Sequence, residues 1–185
     1  PIQRKRLYAL IEWARPQHVH VAWPCRGLGG FNRINLAKFG TQAAETAAMS
    51  RQESTVHLNV FEHVAFLCRD YDLGCSGENP VGSDAWKLLS EELQKWFCAT
   101  FHQCAHGLHH PANSSDHGFH RKPTKMIRNR PGVLKFLQRR CPGTSHSHRH
   151  CVLEGSFRSR CLTSYAEHYP LALAKALWRG IQAGV

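Results

Sequence analysis

The chain has 185 residues, 42% hydrophobic and 20% charged, which suffices for one sizeable core and argues against two full domains. Twenty-four Lys and Arg against thirteen Asp and Glu leave a formal +11 with histidine neutral, a balance that favours nucleic acid or an acidic membrane surface as partner. No apolar run reaches the ~20 residues that span a bilayer, and the start lacks the apolar centre of a signal peptide, so the expectation is a soluble, intracellular protein, nuclear or cytoplasmic, neither secreted nor membrane-bound.

Pro1 is followed by Arg4-Lys5-Arg6 and a helix-like segment from Leu7 to Ala14, which reads as the start of a fragment. His18 to Trp23 alternates and is rich in β-formers, predicting a short strand that ends at Pro24 and delivers Cys25 to the glycine-rich loop 26–30. Val56, Val60, Val64, Leu67 and Tyr71 then share one side of a helix over roughly Gln52 to Asp70. Cys75-Ser76-Gly77 is a short strand candidate leading into Glu78-Asn79-Pro80. Ser83-Asp84 starts a helix with an apolar stripe of Trp86, Leu89, Leu93, Trp96 and Phe97, followed by a strand around Cys98 to Gln103. His106 to His120, rich in His, Gly, Asn, Ser and Pro, reads as an exposed loop. A strand at Lys125 to Ile127, a helix from Pro131 to Arg140 with Val133, Leu134 and Leu137 inward, and a terminal helix from Pro170 with Leu173, Leu177 and Ile181 complete the pattern. Alternating strands and helices from His18 to Ile127 predict an α/β fold, with chemistry on the loops at the strand ends.

Eight cysteines and fourteen histidines are many for this length. Without a secretion signal, reduced thiols that bind metal fit better than a disulfide framework. His146, His148 and His150 lie between Cys141 and Cys151, and thiolate with imidazole is the ligand mixture zinc prefers, although an exposed polar loop would carry the same residues.

Trp23-Pro24-Cys25 resembles the Pro-Cys nucleophile loop of DNA cytosine-5 methyltransferases, and Gly77-Glu78-Asn79-Pro80 resembles their Glu-Asn motif, in the family's order with a helix between. Carbon 5 of cytosine is a poor nucleophile. Catalysis therefore needs a thiolate that adds to carbon 6, an acid at ring nitrogen 3, and a base flipped out of the duplex. The resemblance assigns these roles to Cys25 as nucleophile and to Glu78 as acid within the Glu78-Asn79 motif, while Arg121, Lys122 and Lys125 of the Lys-Pro-Thr stretch would contact nucleic acid, most naturally DNA. It implies a partial Rossmann-like methyltransferase sheet over 1–130 and a His/Cys-rich helical extension over 131–185, together one compact unit. S-adenosylmethionine is the implied cofactor, yet no aromatic-X-Gly-X-Gly turn precedes Cys25, and Arg26 stands where the family has glutamine or glycine.

The whole arrangement is still more similar to methyltransferase-like segments of dinoflagellate and other algal retroelement polyproteins, over roughly His18 to Gly180. That likeness implies Cys104, Cys141, His146 and His148 as a zinc ligand set. Two functions stay open at this point: a cytosine methyltransferase-like fragment, or a zinc-stabilised nucleic-acid-binding module of a retroelement polyprotein without catalysis. Taken singly, Cys25 also reads as a buried thiol at a strand end, Glu78-Asn79-Pro80 as a turn, and Arg121-Lys122 as a basic loop end.

Overall fold

The computed structural model of the chain describes residues 2–112, 118–132 and 134–183, so Val133 and part of the His-rich stretch lie outside the described residues. The chain divides into two compact units, Pro1–Cys98 with Lys125–Pro131, and Ala99–Thr124 with Gly132–Gly184. It is mixed α/β, with a mixed sheet of four strands in the order β1-β2-β5-β3. These strands are β1 (His18–Ala22), β2 (Gly74–Pro80), β3 (Phe97–His102) and β5 (Pro123–Arg128).

In the first unit, α1 (Ile2–Ala14) precedes β1, and α2 (Phe31–Asp70) connects β1 to β2. The connection makes β1 and β2 parallel neighbours, with His18 opposite Gly74 and Ala22 opposite Glu78. Helix α2 begins about twenty residues earlier than its apolar periodicity predicts and is kinked at Gly40, whose φ of 59° belongs to the left-handed region. Its buried stripe is also rotated from the predicted one. Leu58, Phe61, Ala65 and Cys68 face inward with Val64, while Val56 is exposed. The bulk of Leu58 and Phe61 decides the rotation, since more apolar area is removed from water that way. Phe61 stacks on Trp23 at 4.6 Å, and Gly77 of β2 has no room for a Cβ because both rings lie against it. Ile11, Leu28, Leu73, Leu93 and Ile127 complete this core. Asn129, just beyond β5, accepts from the Cys75 amide at 2.8 Å and donates to the Leu73 carbonyl at 2.8 Å, fixing the start of β2.

The helix predicted from Ser83-Asp84 is two short ones, α3 (Ala85–Leu88) and α4 (Glu91–Gln94). Leu89 turns extended at ψ 146° between them, and the Ser90 amide donates to Glu62 Oε1 at 2.7 Å, so a tertiary contact replaces the helix's own bond.

The second unit is built from shorter pieces. A 3-10 turn at Gln103–His106 follows β3, then come β4 (Phe119–His120), α5 (Leu134–Leu137), β6 (His150–Cys151), β7 (Ser156–Phe157), β8 (Arg160–Cys161), α6 (Leu162–Tyr165) and α7 (Leu171–Ala183). Helix α7 buries Leu173, Leu177 and Gly180. The loop predicted as exposed over 106–120 is instead partly interior: His106, Leu108, His110 and His120 are buried. Strand β4 pairs in parallel with β6, setting Phe119 opposite His150 and His120 opposite Cys151.

Candidate functional site

The second unit gathers Cys104, Cys141, His148 and His150 so that one ligand atom from each lies within 4.8 Å of all the others. This His/Cys cluster can hold a metal ion. Cys104 sits in the 3-10 turn, which is pinned by the Gln103 amide on the Lys122 carbonyl at 3.0 Å and by Gln103 Nε2 on Thr124 Oγ1 at 3.0 Å. Gly107, at φ 91°, closes that turn. The Cys141 amide donates to His102 Nδ1 at 2.8 Å. Ser145 and His148 exchange backbone bonds of 3.3 and 3.2 Å, forming a tight turn whose tip is His146-Ser147. His148 and His150 follow as an i, i+2 pair. The Phe119 ring stacks on His148 at 4.4 Å, and His150 meets His148 edge-on at 4.9 Å.

Cys141 Sγ is 3.3 Å from His150 Nε2. A tetrahedral zinc with bonds of ~2.3 Å to sulfur and ~2.0 Å to nitrogen separates such ligands by about 3.5 Å, so this pair already stands at metal-binding distance. Burial pushes the Cys104 thiol up to about 11, and its hydrogen bond to Cys141 adds to the rise. Without a metal, the site therefore disfavours a thiolate at Cys104; a dication would reverse that preference and release protons on binding. Burial also lowers the pKa of His150, helped by His148 and Arg121, and so favours the neutral imidazole that ligates. Beside the cluster lies a shallow hollow of ≈ 460 Å³ lined by Cys104, Gly107, Phe119, Arg139, Arg140 and His148.

Three of the four residues in the expected ligand set, Cys104, Cys141 and His148, are brought together. His146 is not: at the tip of the turn it is exposed, and His150 takes the fourth place. The alternation His146, His148, His150 holds the signal that either pair is two apart, but the turn that selects the second pair is a backbone feature.

In the first unit, Pro24-Cys25 follows the carboxyl end of β1 and Glu78-Asn79-Pro80 forms the carboxyl end of its parallel neighbour β2. Asn79 Nδ2 donates to the Trp23 carbonyl at 2.8 Å, tying one motif to the other, and the bond is buried. The Cys25 carbonyl accepts from the Leu28 amide at 3.2 Å, curling the loop so that Leu28 enters the core. The Gly27 amide donates to Ser54 Oγ at 3.1 Å, and a Cβ on Gly27 would collide with the backbone of Ser50 and Arg51. From the other side, the Asp84 amide donates to the Leu28 carbonyl at 2.8 Å, and Trp86 Nε1 donates to the Pro80 carbonyl at 2.8 Å. Cys25 is half-buried and Glu78 buried.

Comparison of the chain with family models, curated proteins and solved structures gives no match. The chemistry of the individual residues therefore carries the functional argument. Of the three residues expected to contact nucleic acid, Arg121 is exposed in the second unit, where its charge acts on His102 and His150. Lys122 directs its ammonium at the Ala166 carbonyl, 2.8 Å away. Lys125 belongs to the first unit and holds its Nζ 4.9 Å over the Trp86 ring. Where the resemblance asks for a strand and a glycine turn to cradle S-adenosylmethionine, the residues before β1 form α1. No helix among the described residues is long and apolar enough to cross a membrane.

Proposed function

We propose that this chain is a zinc-stapled nucleic-acid-binding module, with Cys104, Cys141, His148 and His150 as the metal ligands and DNA as the polyanion. The convergence of two sulfurs and two imidazoles within 4.8 Å carries the reading. Four protein ligands complete a tetrahedron and leave no position for a substrate, which makes the zinc structural rather than catalytic. The formal +11 supplies the attraction for phosphate, with exposed Arg121, Arg139 and Arg140 close to the staple. A module of this kind suits the retroelement polyprotein that the sequence resembles.

The test has two arms. Protein purified without chelator should contain one zinc per chain, and metal analysis finding none would defeat the staple. Fluorescence anisotropy on duplex DNA should give a log K against log salt line with a slope corresponding to several phosphate contacts, at ~0.9 per contact, and neutralising Arg121, Arg139 and Arg140 should flatten it. Binding independent of salt would remove the nucleic-acid half of the reading.

A second reading, a cytosine-5 methyltransferase-like site at Cys25 and Glu78, is favoured by one observation, the Asn79 bond to the Trp23 carbonyl that couples the two motifs. Cys25 would add to carbon 6 of cytosine and Glu78 would hydrogen-bond ring nitrogen 3, with the methyl group supplied by S-adenosylmethionine. DNA containing 5-fluorocytosine, incubated with S-adenosylmethionine, should then form a covalent adduct that Cys25→Ser abolishes. No adduct, or one that survives the substitution, excludes this chemistry.

A further inference from the structure

We propose that the face of the first unit's sheet bearing His18, His20, Ser76 and Arg128 is a binding site for a phosphate-class oxyanion. It depends on neither the metal cluster nor the Cys25–Glu78 pair. Strand alternation defines the face: His20 on β1 stands opposite Ser76 and His18, two residues earlier, opposite Gly74, so both share the Ser76 face, whereas Gly77 on β2 turns the other way onto Phe61 and Trp23. On β5, Ile127 joins the apolar core, so its neighbour Arg128 emerges on the opposite side, close enough to His18 for its charge to be felt there.

Arg128 is the unusual member of this set. Its side chain is 1% exposed, and neither Nε nor Nη1 has a hydrogen-bond partner among the described residues. No ion pair forms to it there, and the charge acting on it, Arg130, has the same sign. Arg130 in turn is occupied by Asp72 at 2.8 Å. Burial lowers the Arg128 pKa only to about 10, which leaves it charged at neutral pH. A permanently charged group with five donors is costly to bury without an acceptor, and its planar fork fits two oxygens of a phosphate.

Ser76 Oγ stands between His18 Nε2 at 2.7 Å and His20 Nδ1 at 2.8 Å. Burial holds both imidazoles neutral, with pKa values of about 4, so the three side chains form a polar floor without adding charge. The site thus offers one fixed cation and hydroxyl and imidazole dipoles, which suits an oxyanion and repels a metal cation. His18 and His20 are half-buried and form the solvent-facing edge of the site, with Ser76 and Arg128 buried beneath them.

The experiment is calorimetric titration of the full chain, as purified without chelator, at constant ionic strength in chloride, first with inorganic phosphate and then with a 5′-mononucleotide and the matching nucleoside. The expected result is single-site binding of phosphate, no binding of the nucleoside, and at least about ten-fold weaker phosphate binding in Arg128→Met. A nucleotide that binds more tightly than phosphate assigns the site to nucleotide or nucleic-acid ends; equal affinities assign it to free phosphate. The proposal is overturned if wild-type protein gives neither heat nor a phosphate-dependent rise in melting temperature, or if folded Arg128→Met binds undiminished. Should Arg128→Met fail to fold, Ser76→Ala replaces it, and undiminished binding there overturns the proposal equally.

Discussion

The two units solve the same folding problem with different materials. The first buries a contiguous set of large apolar side chains, among them Trp23, Leu58, Phe61 and Leu93, between a long helix and parallel strands. The second is built largely of two-residue strands and sets Gln103, His106, His110, His120 and His148 among its buried apolar side chains. Apolar area stabilises the first without help, whereas the second combines short elements with polar interior groups, the circumstances in which small folds rely on a metal. The two halves should therefore fail under different insults.

The largest expected effect is selective. Chelation, or Cys141→Ser, should strip hydrogen-exchange protection from 99–112, 118–124 and 134–183 while 50–80 stays protected, because structural zinc contributes ~10 kcal/mol or more to small domains that depend on it. Equal loss in both units, or none, would erase the distinction. Within the same experiment His150→Ala should lose the metal and His146→Ala should keep it; the reverse would restore the ligand set first expected from the sequence.

In the first unit, Leu28→Ala should cost about 2–5 kcal/mol in denaturant unfolding, since Leu28 is 1% exposed and anchors the Cys25 loop. The loss should be the same with and without chelator. Asn79→Ala should cost less, about 1–3 kcal/mol, by leaving the buried Trp23 carbonyl without its donor. A cost near zero would mean that the two motifs are held together by the strands alone.

The remaining effect is a slope, and near neutral pH it vanishes. Burial lowers His18 and His20 from 6.5 to about 4, so between those values the unfolded chain binds the extra protons. Stability is then complete above pH ~6.5 and falls as pH drops toward 4. Replacing both histidines by glutamine should flatten this part of the pH profile, with the gain discounted because the rings are partly solvated.

How much of this was legible follows from where each signal resides. Strands β1 and β5 and helix α7 were readable because alternation and helical spacing are written in neighbouring residues. The first half of α2 was not: Leu36, Phe39 and Met49 are exposed there and draw no inward stripe. The break at Leu89-Ser90 depends on Glu62, distant in sequence, and the interior placement of His106 and His120 depends on partners that composition cannot name. Cys104, Cys141 and His148 entered the expected set through the resemblance to retroelement segments, while His150 required the backbone turn at Ser145–His148.

The bare α-carbon of Gly27 has a consequence for anyone moving this loop into another protein. Its shape is the negative of the α2 surface at Ser50 and Ser54, and its far side is latched by the Asp84 amide. Residues 25–30, 50–54 and 78–84 therefore form one transplantable part, and a graft carrying the cysteine without the other two segments would arrive with its backbone unsupported.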